Sequence, residues 1–184
     1  MTVIFSNSND FDTLSLRRIW RGFDCNVIEI TRDTENYEEL VDAALEQEDD
    51  ILIMCGHGTT QGLLHPNLDS GQYIIHENNA HLIHATHVIG CWCWAADFAD
   101  QNHLHGFFTG MFISNLQEAK QYNVHTDEFS IQRFVSFFTM RMNHTLHRVH
   151  DASFNWLNES FAPSTPLLND LERFNIRGFR YYVR

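Results

Sequence analysis

Three short apolar segments, separated by segments with helical spacing, constrain the fold of this chain more than any other feature. They cover Thr2–Ser6, 26–31 and 50–55 and are rich in Val, Ile, Leu and Phe, which predicts strands. The third is apolar on both of its faces, as in a central strand covered by helices on each side. Apolar residues at helical spacing over 14–20 and 36–47 predict the intervening helices. This alternation predicts an α/β fold with a doubly wound, mostly parallel sheet.

The second half of the chain continues the pattern after an interruption. A turn-rich segment over 58–85 contains a candidate hairpin, in which Leu63-Leu64 pairs with 73–75. Further strands are predicted at 86–91, 107–114 and 178–183. Further helices are predicted at 95–102, 116–122, 127–144 and 152–161. No repeat or linker-like stretch interrupts the chain, so we expect one domain over 1–184 with a sheet of about six strands.

The charge balance narrows the classes of partner. The chain has 24 acidic residues against 12 Lys and Arg, a formal net charge of −12. Nucleic acids and anionic membranes attract basic surfaces, so neither is predicted to be a partner. The acidic balance favours a cationic substrate or partner instead. Because 43% of the residues are hydrophobic and 15 are Phe, the chain is not expected to be disordered.

The cysteines and the apolar segments predict the compartment. The four Cys, at positions 25, 55, 91 and 93, are too few for the disulfide framework of a secreted domain. No signal-like segment opens the sequence, and no apolar run approaches the roughly 18–20 residues of a membrane span. These features predict a cytoplasmic protein with reduced thiols.

Two reactive side chains follow predicted strands. His57 lies in a Gly-His-Gly sequence after the third strand, and Cys93 follows the fourth. Ligands of open α/β sheets bind at the carboxyl ends of the strands, and neighbouring strands lie about 5 Å apart. If the two strands are neighbours, an imidazole and a thiol meet at one edge of the sheet. The alternative is that His57 only ends a loop and Cys93 packs as a small apolar residue.

The same segments carry a family resemblance. The sequences ILIMCGHG (51–58) and THVIGCWC (86–93) resemble the caspase-like (clan CD) cysteine peptidases, in particular the bacterial caspase-like domains. The resemblance extends over roughly 2–122. It implies a caspase-like sheet with helices on both faces and a His57/Cys93 dyad that cleaves peptides after a selected residue. It implies no metal and no other cofactor.

The choice of nucleophile depends on the strand register. By comparison with the family, Cys93 occupies the position of the nucleophile. Cys91 lies two residues earlier, and residues two apart on a strand point to the same side. Cys91 is therefore the alternative nucleophile.

The resemblance also implies a mechanism through a thioester. The Cys93 thiolate attacks the scissile carbonyl, the backbone N–H groups of Gly58 and Cys93 bind the oxyanion, and His57 protonates the leaving amine. Water then hydrolyses the thioester. We expect an adjacent imidazolium, or the helix predicted after Cys93, to lower the pKa of the thiol.

Five residues are candidates for substrate binding. Some members of the family recognise a basic residue through an acidic group after the first strand, where this chain has Asp10 and Asp12. Either aspartate is also a preferred N-cap for the following helix. Ser114 and Asn115, near the end of the predicted fifth strand, are further candidates. Trp92 is expected either to line a substrate groove or to pack in the core.

Two alternative functions remain open on sequence grounds. The first is a catalytically idle caspase-like module that binds a partner protein through the same groove. The second is a metal-binding protein that uses its His-rich segments, although no complete zinc signature is present. The histidines in question are His76, His81, His84, His87, His144, His147 and His150. For the peptidase we expect a protein or peptide substrate, and its turn-rich 59–85 segment suggests control by a regulatory protein or by cleavage.

Overall fold

The computed structural model describes residues 1–147 and 169–182. The helix predicted over 152–161 lies outside the described residues, as does Val183 at the end of the last predicted strand. The strands are β1 (Thr2–Ser6), β2 (Asn26–Ile30), β3 (Ile51–Cys55), β4 (Gly58–Thr59), β5 (Gly62–Leu64), β6 (Tyr73–Ile75), β7 (His87–Cys91), β8 (Gly106–Phe108) and β9 (Arg180–Tyr182). The helices are α1 (Phe11–Leu16), α2 (Tyr37–Leu45), α3 (Glu77–Ala80), α4 (Ala95–Gln101), α5 (Leu116–Gln121), α6 (Glu128–Leu146) and α7 (Asp170–Gly178), with a 3₁₀ turn at Leu68–Ser70.

Six strands form the main sheet, in the order β2-β1-β3-β7-β8-β9. The first five are parallel, and β9 runs antiparallel to β8. The prediction of an α/β fold with a mostly parallel six-stranded sheet is confirmed. β3 and β7 are neighbours, with Cys55 opposite Cys91 at their carboxyl ends. The segments that follow these two strands therefore emerge at the same edge of the sheet.

Helices cover both faces of this sheet. Alternate side chains of β3 enter two separate hydrophobic clusters, with Ile53 and Cys55 in one and Leu52 and Met54 in the other. The first cluster contains the buried side of α6, and the second contains that of α2 and α4. Every residue of β3 is buried, as its apolar sequence predicts. In the described part of the chain, no helix has both the length and the apolar character needed to cross a membrane.

The turn-rich segment forms a separate three-stranded antiparallel sheet, β4-β5-β6. The predicted pairing of Leu63-Leu64 with 73–75 is confirmed, because Leu63 lies opposite Ile75 and Leu64 opposite Tyr73. The Leu64 N–H donates to the carbonyl of His57 at 2.9 Å. This bond attaches the start of the small sheet to the residue that follows β3.

The predicted strand over 107–114 was too long, because β8 ends at Phe108. The Thr109 N–H still donates to the Gly90 carbonyl of β7 at 3.0 Å, but the carbonyls of Thr109 and Gly110 accept from the first turn of α4 and its N-cap. The Ala96 N–H donates to the Thr109 carbonyl at 2.9 Å, and the Trp94 N–H donates to the Gly110 carbonyl at 3.0 Å. Gly110 also packs against Gly178 so closely that a Cβ on Gly110 would lie 2.7 Å from the Gly178 Cα. These tertiary contacts turn the chain away from the sheet.

Candidate functional site

His57 is positioned by close backbone approaches on either side. A Cβ on Gly56, which has φ +151°, would lie 2.7 Å from the Cβ of Ser6. A Cβ on Gly58 would lie 2.1 Å from Cδ1 of Trp92. Only glycine fits at these two positions, so the Gly-His-Gly sequence lets the chain pass between β1 and Trp92. His57 itself is partly exposed at the edge of the sheet.

Asp10 binds His57 and caps α1 at the same time. The His57 Nε2–H donates to Oδ2 of Asp10 at 2.7 Å, and the Thr13 N–H donates to Oδ1 of Asp10 at 2.8 Å. Burial raises the pKa of Asp10, but the hydrogen bonds from Thr13 and His57 outweigh it, so the pKa is lowered overall. An ionised Asp10 therefore orients the ring through Nε2 and leaves Nδ1 for chemistry.

The Cys93 thiol is protonated at neutral pH. Its Sγ–H donates to the Phe112 carbonyl at 3.6 Å. Burial raises the pKa of Cys93 to about 12, and the carboxylates of Glu118 and Asp12 contribute to the increase. The expectation that a neighbouring imidazolium or the start of α4 lowers this pKa is wrong. Desolvation and the negative charges of Glu118 and Asp12 all disfavour the thiolate.

His57 and Cys93 line one cavity. The cavity has a volume of about 50 Å³ and lies at the carboxyl ends of β3 and β7. Apolar side chains, including Phe112 and Phe138, also line it. The predicted meeting of an imidazole and a thiol at this edge of the sheet agrees with the geometry. The surrounding side chains reduce the hydration of the thiolate, which is why the pKa of Cys93 is high.

The two predicted acidic residues have different environments. Asp10 is the helix cap, as the alternative interpretation anticipated, whereas Asp12 lines the cavity. Asn115 Nδ2 donates to Oδ2 of Asp12 at 3.5 Å, whereas the Ser114 hydroxyl donates to Oε2 of Glu118 at 3.2 Å. Burial raises the pKa of Asp12 and so does the charge of Asp10, while Ser114, Asn115 and His57 oppose the rise. The structure thus brings together Asp12, Ser114, Asn115 and the His57/Cys93 pair.

Cys91 and Trp92 belong mainly to the core. Cys91 is 3% exposed at the end of β7, and burial raises its pKa to about 12. Trp92 is 2% exposed, and its Nε1–H donates to the Thr59 carbonyl at 3.2 Å. Both also border the cavity. Cys93, in the turn after β7, is the more accessible of the two thiols.

The two predicted oxyanion donors are oriented by the local backbone. In an antiparallel ladder, bonded and non-bonded pairs alternate. The Leu64 N–H donates to the His57 carbonyl, so the next pair along the ladder, Gly58 with Leu63, is a non-bonded pair. The Gly58 N–H therefore points out of the ladder. In the part of the chain that the structure describes, no backbone carbonyl accepts a bond from the Cys93 N–H.

One group of side chains has the spacing to share a cation. Asp10, Asp12 and His57 place one potential ligand atom each within 4.8 Å of one another. Within residues 1–147 and 169–182, the His-rich segments form no such group of three, and His150 lies outside these ranges. His76 instead caps α3 by accepting the Asn78 N–H at 3.2 Å.

Sequence reasoning missed the two residues that act most directly on the thiol. Phe112 accepts its hydrogen bond, and Glu118 raises its pKa. Glu118 had a detectable signal, because an Asn-x-x-Glu sequence at 115–118 resembles a capping box at a helix start. Asn115 does cap α5 by accepting the Glu118 N–H at 3.0 Å. Phe112 acts through its carbonyl, which carries no side-chain signal.

Comparison of the chain with protein-family models, with curated proteins and with solved structures found no match. The caspase-like assignment therefore depends on the two sequence segments, 51–58 and 86–93, and stays a prediction.

Proposed function

We propose that this chain is a caspase-like cysteine peptidase in which Cys93 is the nucleophile and His57 the general base and acid. One observation supports this most strongly. His57 and Cys93 follow adjacent parallel strands and line one cavity, and a carboxylate holds the imidazole at 2.7 Å. A nucleophile, a base and a group that orients the base are the parts that acyl transfer requires.

The proton transfers follow from the His57–Asp10 bond. With Nε2–H bound to Asp10, neutral His57 carries its lone pair on Nδ1. As the Cys93 sulfur bonds to the scissile carbonyl carbon, Nδ1 takes the thiol proton, and Asp10 stabilises the imidazolium. The C–N bond then breaks, and Nδ1–H protonates the leaving amine. This step leaves a thioester on Cys93.

Hydrolysis reverses the roles of the same groups. His57 Nδ1 takes a proton from water, the hydroxide attacks the thioester carbonyl, and the C–S bond breaks. The proton returns to the sulfur and the carboxylic acid product leaves. The N–H groups of Gly58 and Cys93 are the proposed donors to the oxyanion in both steps.

Asp12 suggests a basic side chain at the cleavage position. It is the carboxylate that lines the cavity with Cys93, and Asn115 hydrogen-bonds to it. Burial and the Asp10 charge raise its pKa, so a Lys or Arg side chain would relieve an unfavourable negative charge there. Asp10 is not available for this role because it binds His57.

The raised thiol pKa favours a second candidate. A thiol whose pKa is about 12 is a poor nucleophile until His57 takes its proton, as expected of an idle module that binds a partner protein. The two candidates differ in one measurable property. A peptidase forms a covalent bond between Cys93 and a peptidyl electrophile in a His57-dependent reaction, whereas an idle module does not.

The test uses a peptidyl acyloxymethyl ketone with Lys at the cleavage position, and intact-protein and peptide mass spectrometry locate the adduct. We expect the label on Cys93, its loss in Cys93→Ala, and its retention in Cys91→Ala. Cys25→Ala is the matched control, since Cys25 is a partly exposed thiol outside the cavity.

Each other outcome has a defined meaning. Loss of labelling in Cys91→Ala alone would move the nucleophile to Cys91. Labelling that persists in both variants, or that His57→Ala leaves unchanged, contradicts the peptidase proposal and favours the idle module. An electrophile with Asp in place of Lys tests the role of Asp12, and faster labelling by the Asp reagent would exclude a basic preference.

A further inference from the structure

A second depression lies beside the candidate site. It has a volume of about 560 Å³, and its lining includes Trp94, Gly110 and Met111. The cavity around Cys93 is lined by neighbours of these residues, including Thr109 and Phe112. The two depressions therefore share one wall, built from 92–94 and 109–112 and joined by the bond from Trp94 N–H to the Gly110 carbonyl. We call the larger one the arginine groove.

Three arginines line this groove. Arg173 and Arg177 are four residues apart on α7, which places them on the same face of the helix, and Arg180 begins β9. All three side chains are exposed. The whole chain has only 12 Lys and Arg and a net charge of −12, so a quarter of its basic residues lie at one depression.

The arginine charges are only partly balanced by neighbouring groups. The lining also contains Asp97 and Asp170, each in the first turn of a helix, where the helix dipole stabilises a carboxylate. In the described ranges, neither Arg177 nor Arg180 forms a salt bridge with a carboxylate. Arg180 donates through Nη1 to the carbonyls of Arg177 and Phe179. Of these groups, the Arg177 guanidinium is thus the most available to bind an external anion.

The rest of the lining indicates the kind of anion. Aromatic rings from Trp94, Phe174 and Tyr182 lie in the same depression as the guanidinium groups. A free phosphate would use the charges but not these rings. An extended polypeptide has carboxylates for the arginines and aliphatic or aromatic surface for the rings.

We propose that the arginine groove binds an acidic segment of a polypeptide. Its carboxylates pair with Arg177 and Arg180, and its apolar atoms contact the aromatic lining. The site is distinct from the Cys93 cavity, and the proposal does not require catalysis. Because the two depressions share a wall, a polypeptide bound here lies next to the candidate active site.

The experiment measures binding to the Cys93→Ala variant, so that peptide cleavage cannot interfere. The probe is a fluorescein-labelled, unstructured peptide rich in Glu and Tyr, and a matched peptide has Gln at every Glu position. Fluorescence anisotropy should show binding of the Glu peptide that weakens as salt is added. The Gln peptide should bind at least about tenfold more weakly, since about 1.4 kcal/mol from ionic contacts corresponds to a factor of ten.

Substitutions locate the binding site. Arg177→Gln should weaken binding by about threefold to fivefold, as for one exposed ionic contact, and Arg177→Glu should weaken it further through repulsion. Arg177→Lys keeps the charge and should retain most of the affinity. Arg21→Gln is the control, because it removes one exposed positive charge outside the groove. The arginines are exposed, so thermal unfolding of each variant should match that of the parent.

Three results would overturn the proposal. The first is equal affinity for the Glu and Gln peptides. The second is an equal loss of affinity in Arg177→Gln and Arg21→Gln, which would indicate attraction to overall charge only. The third is displacement of the peptide by inorganic phosphate at an equal concentration of negative charge, which would indicate a small-anion site. Failure of Cys93 labelling leaves this proposal intact, and failure of peptide binding leaves the peptidase proposal intact.

Discussion

The Cys93 cavity and the arginine groove lie on two sides of one wall. They differ in volume, in charge and in the part of the chain that supplies their charged residues. The cavity has a volume of about 50 Å³ and is lined by the Asp12 carboxylate and by His57, which is bound to Asp10. The groove has a volume of about 560 Å³ and is lined by three arginines and two aspartates. The acids of the cavity come from the start of the chain, whereas the arginines come from its end. Folding therefore places opposite charges side by side.

This difference corrects the inference from net charge. A net charge of −12 suggests a cationic partner, and Asp12 in the cavity fits that expectation. The groove next to it has the opposite preference. Electrostatic recognition depends on local charge because salt screens exposed charges over about 8–10 Å. We therefore expect a substrate or partner of this protein to carry both signs of charge.

The largest expected effect separates catalysis from groove binding. His57→Ala should lower hydrolysis of a fluorogenic Lys peptide by about 10²–10⁴-fold, because the thiol loses its base. Anisotropy should show unchanged binding of the Glu peptide. His125→Ala, an exposed histidine outside both depressions, is the control. Equal loss of hydrolysis in the two variants would remove His57 from the mechanism.

Asp10→Asn should remove the negative charge beside His57 while keeping the N-cap of α1. Asn still accepts the Thr13 N–H but does not stabilise an imidazolium, so we expect kcat to fall by about tenfold to 100-fold, equivalent to one or two pKa units. Asp127→Asn makes the same change at the cap of α6, where Asp127 accepts the Ser130 N–H at 2.7 Å, and should not alter kcat. An unchanged kcat in Asp10→Asn would mean that Asp10 is a cap and nothing more.

Gly178→Ala should damage the groove and spare the cavity. Its Cβ would lie 3.0 Å from the Gly110 Cα, so α7 must shift, at a cost of about 1–3 kcal/mol in the free energy of unfolding. Binding of the Glu peptide should weaken several-fold, while hydrolysis changes little. Gly22→Ala is the control: it is strained by φ +88° but meets no atom within 4 Å. If hydrolysis fell by a similar factor, the shift of α7 would also disturb the Cys93 cavity through the shared wall of residues 92–94 and 109–112.

The smallest expected effect concerns the thiol itself. The pKa of the Cys93 thiol is about 12, so its thiolate fraction rises about tenfold per pH unit from pH 7 to 11. The rate of Cys93 alkylation by iodoacetamide should rise by the same factor, because the thiolate is the reactive form. Asp12→Asn removes a charge that raises this pKa, so the pKa falls and alkylation becomes a few-fold faster at each pH. Asp24→Asn should instead accelerate alkylation of Cys25, whose pKa Asp24 raises. A plateau near pH 8 would contradict the raised pKa.

Local sequence patterns predicted the elements whose interactions are mostly local or simply apolar. The apolar run 50–55 predicted a strand buried on both faces, and the helical spacing over 127–144 predicted α6 within two residues of its observed bounds. The strand predicted over 107–114 was wrong after Phe108, because its course depends on Gly178, far away along the chain. Two strand ends carrying His57 and Cys93 predicted where the candidate site lies. They did not predict the protonation state of the thiol.

The sequence by itself determined an α/β fold with a mostly parallel sheet, the places of His57 and Cys93 after two of its strands, and the presence of acids after β1. These follow from periodicity and from the geometry of a parallel sheet. Only the tertiary structure decided which aspartate binds His57, how strongly burial and Glu118 raise the pKa of Cys93, and where the arginines collect. Hydrogen bonds, desolvation and charge proximity depend on distances between residues that are remote in the chain, and local sequence patterns do not specify those distances.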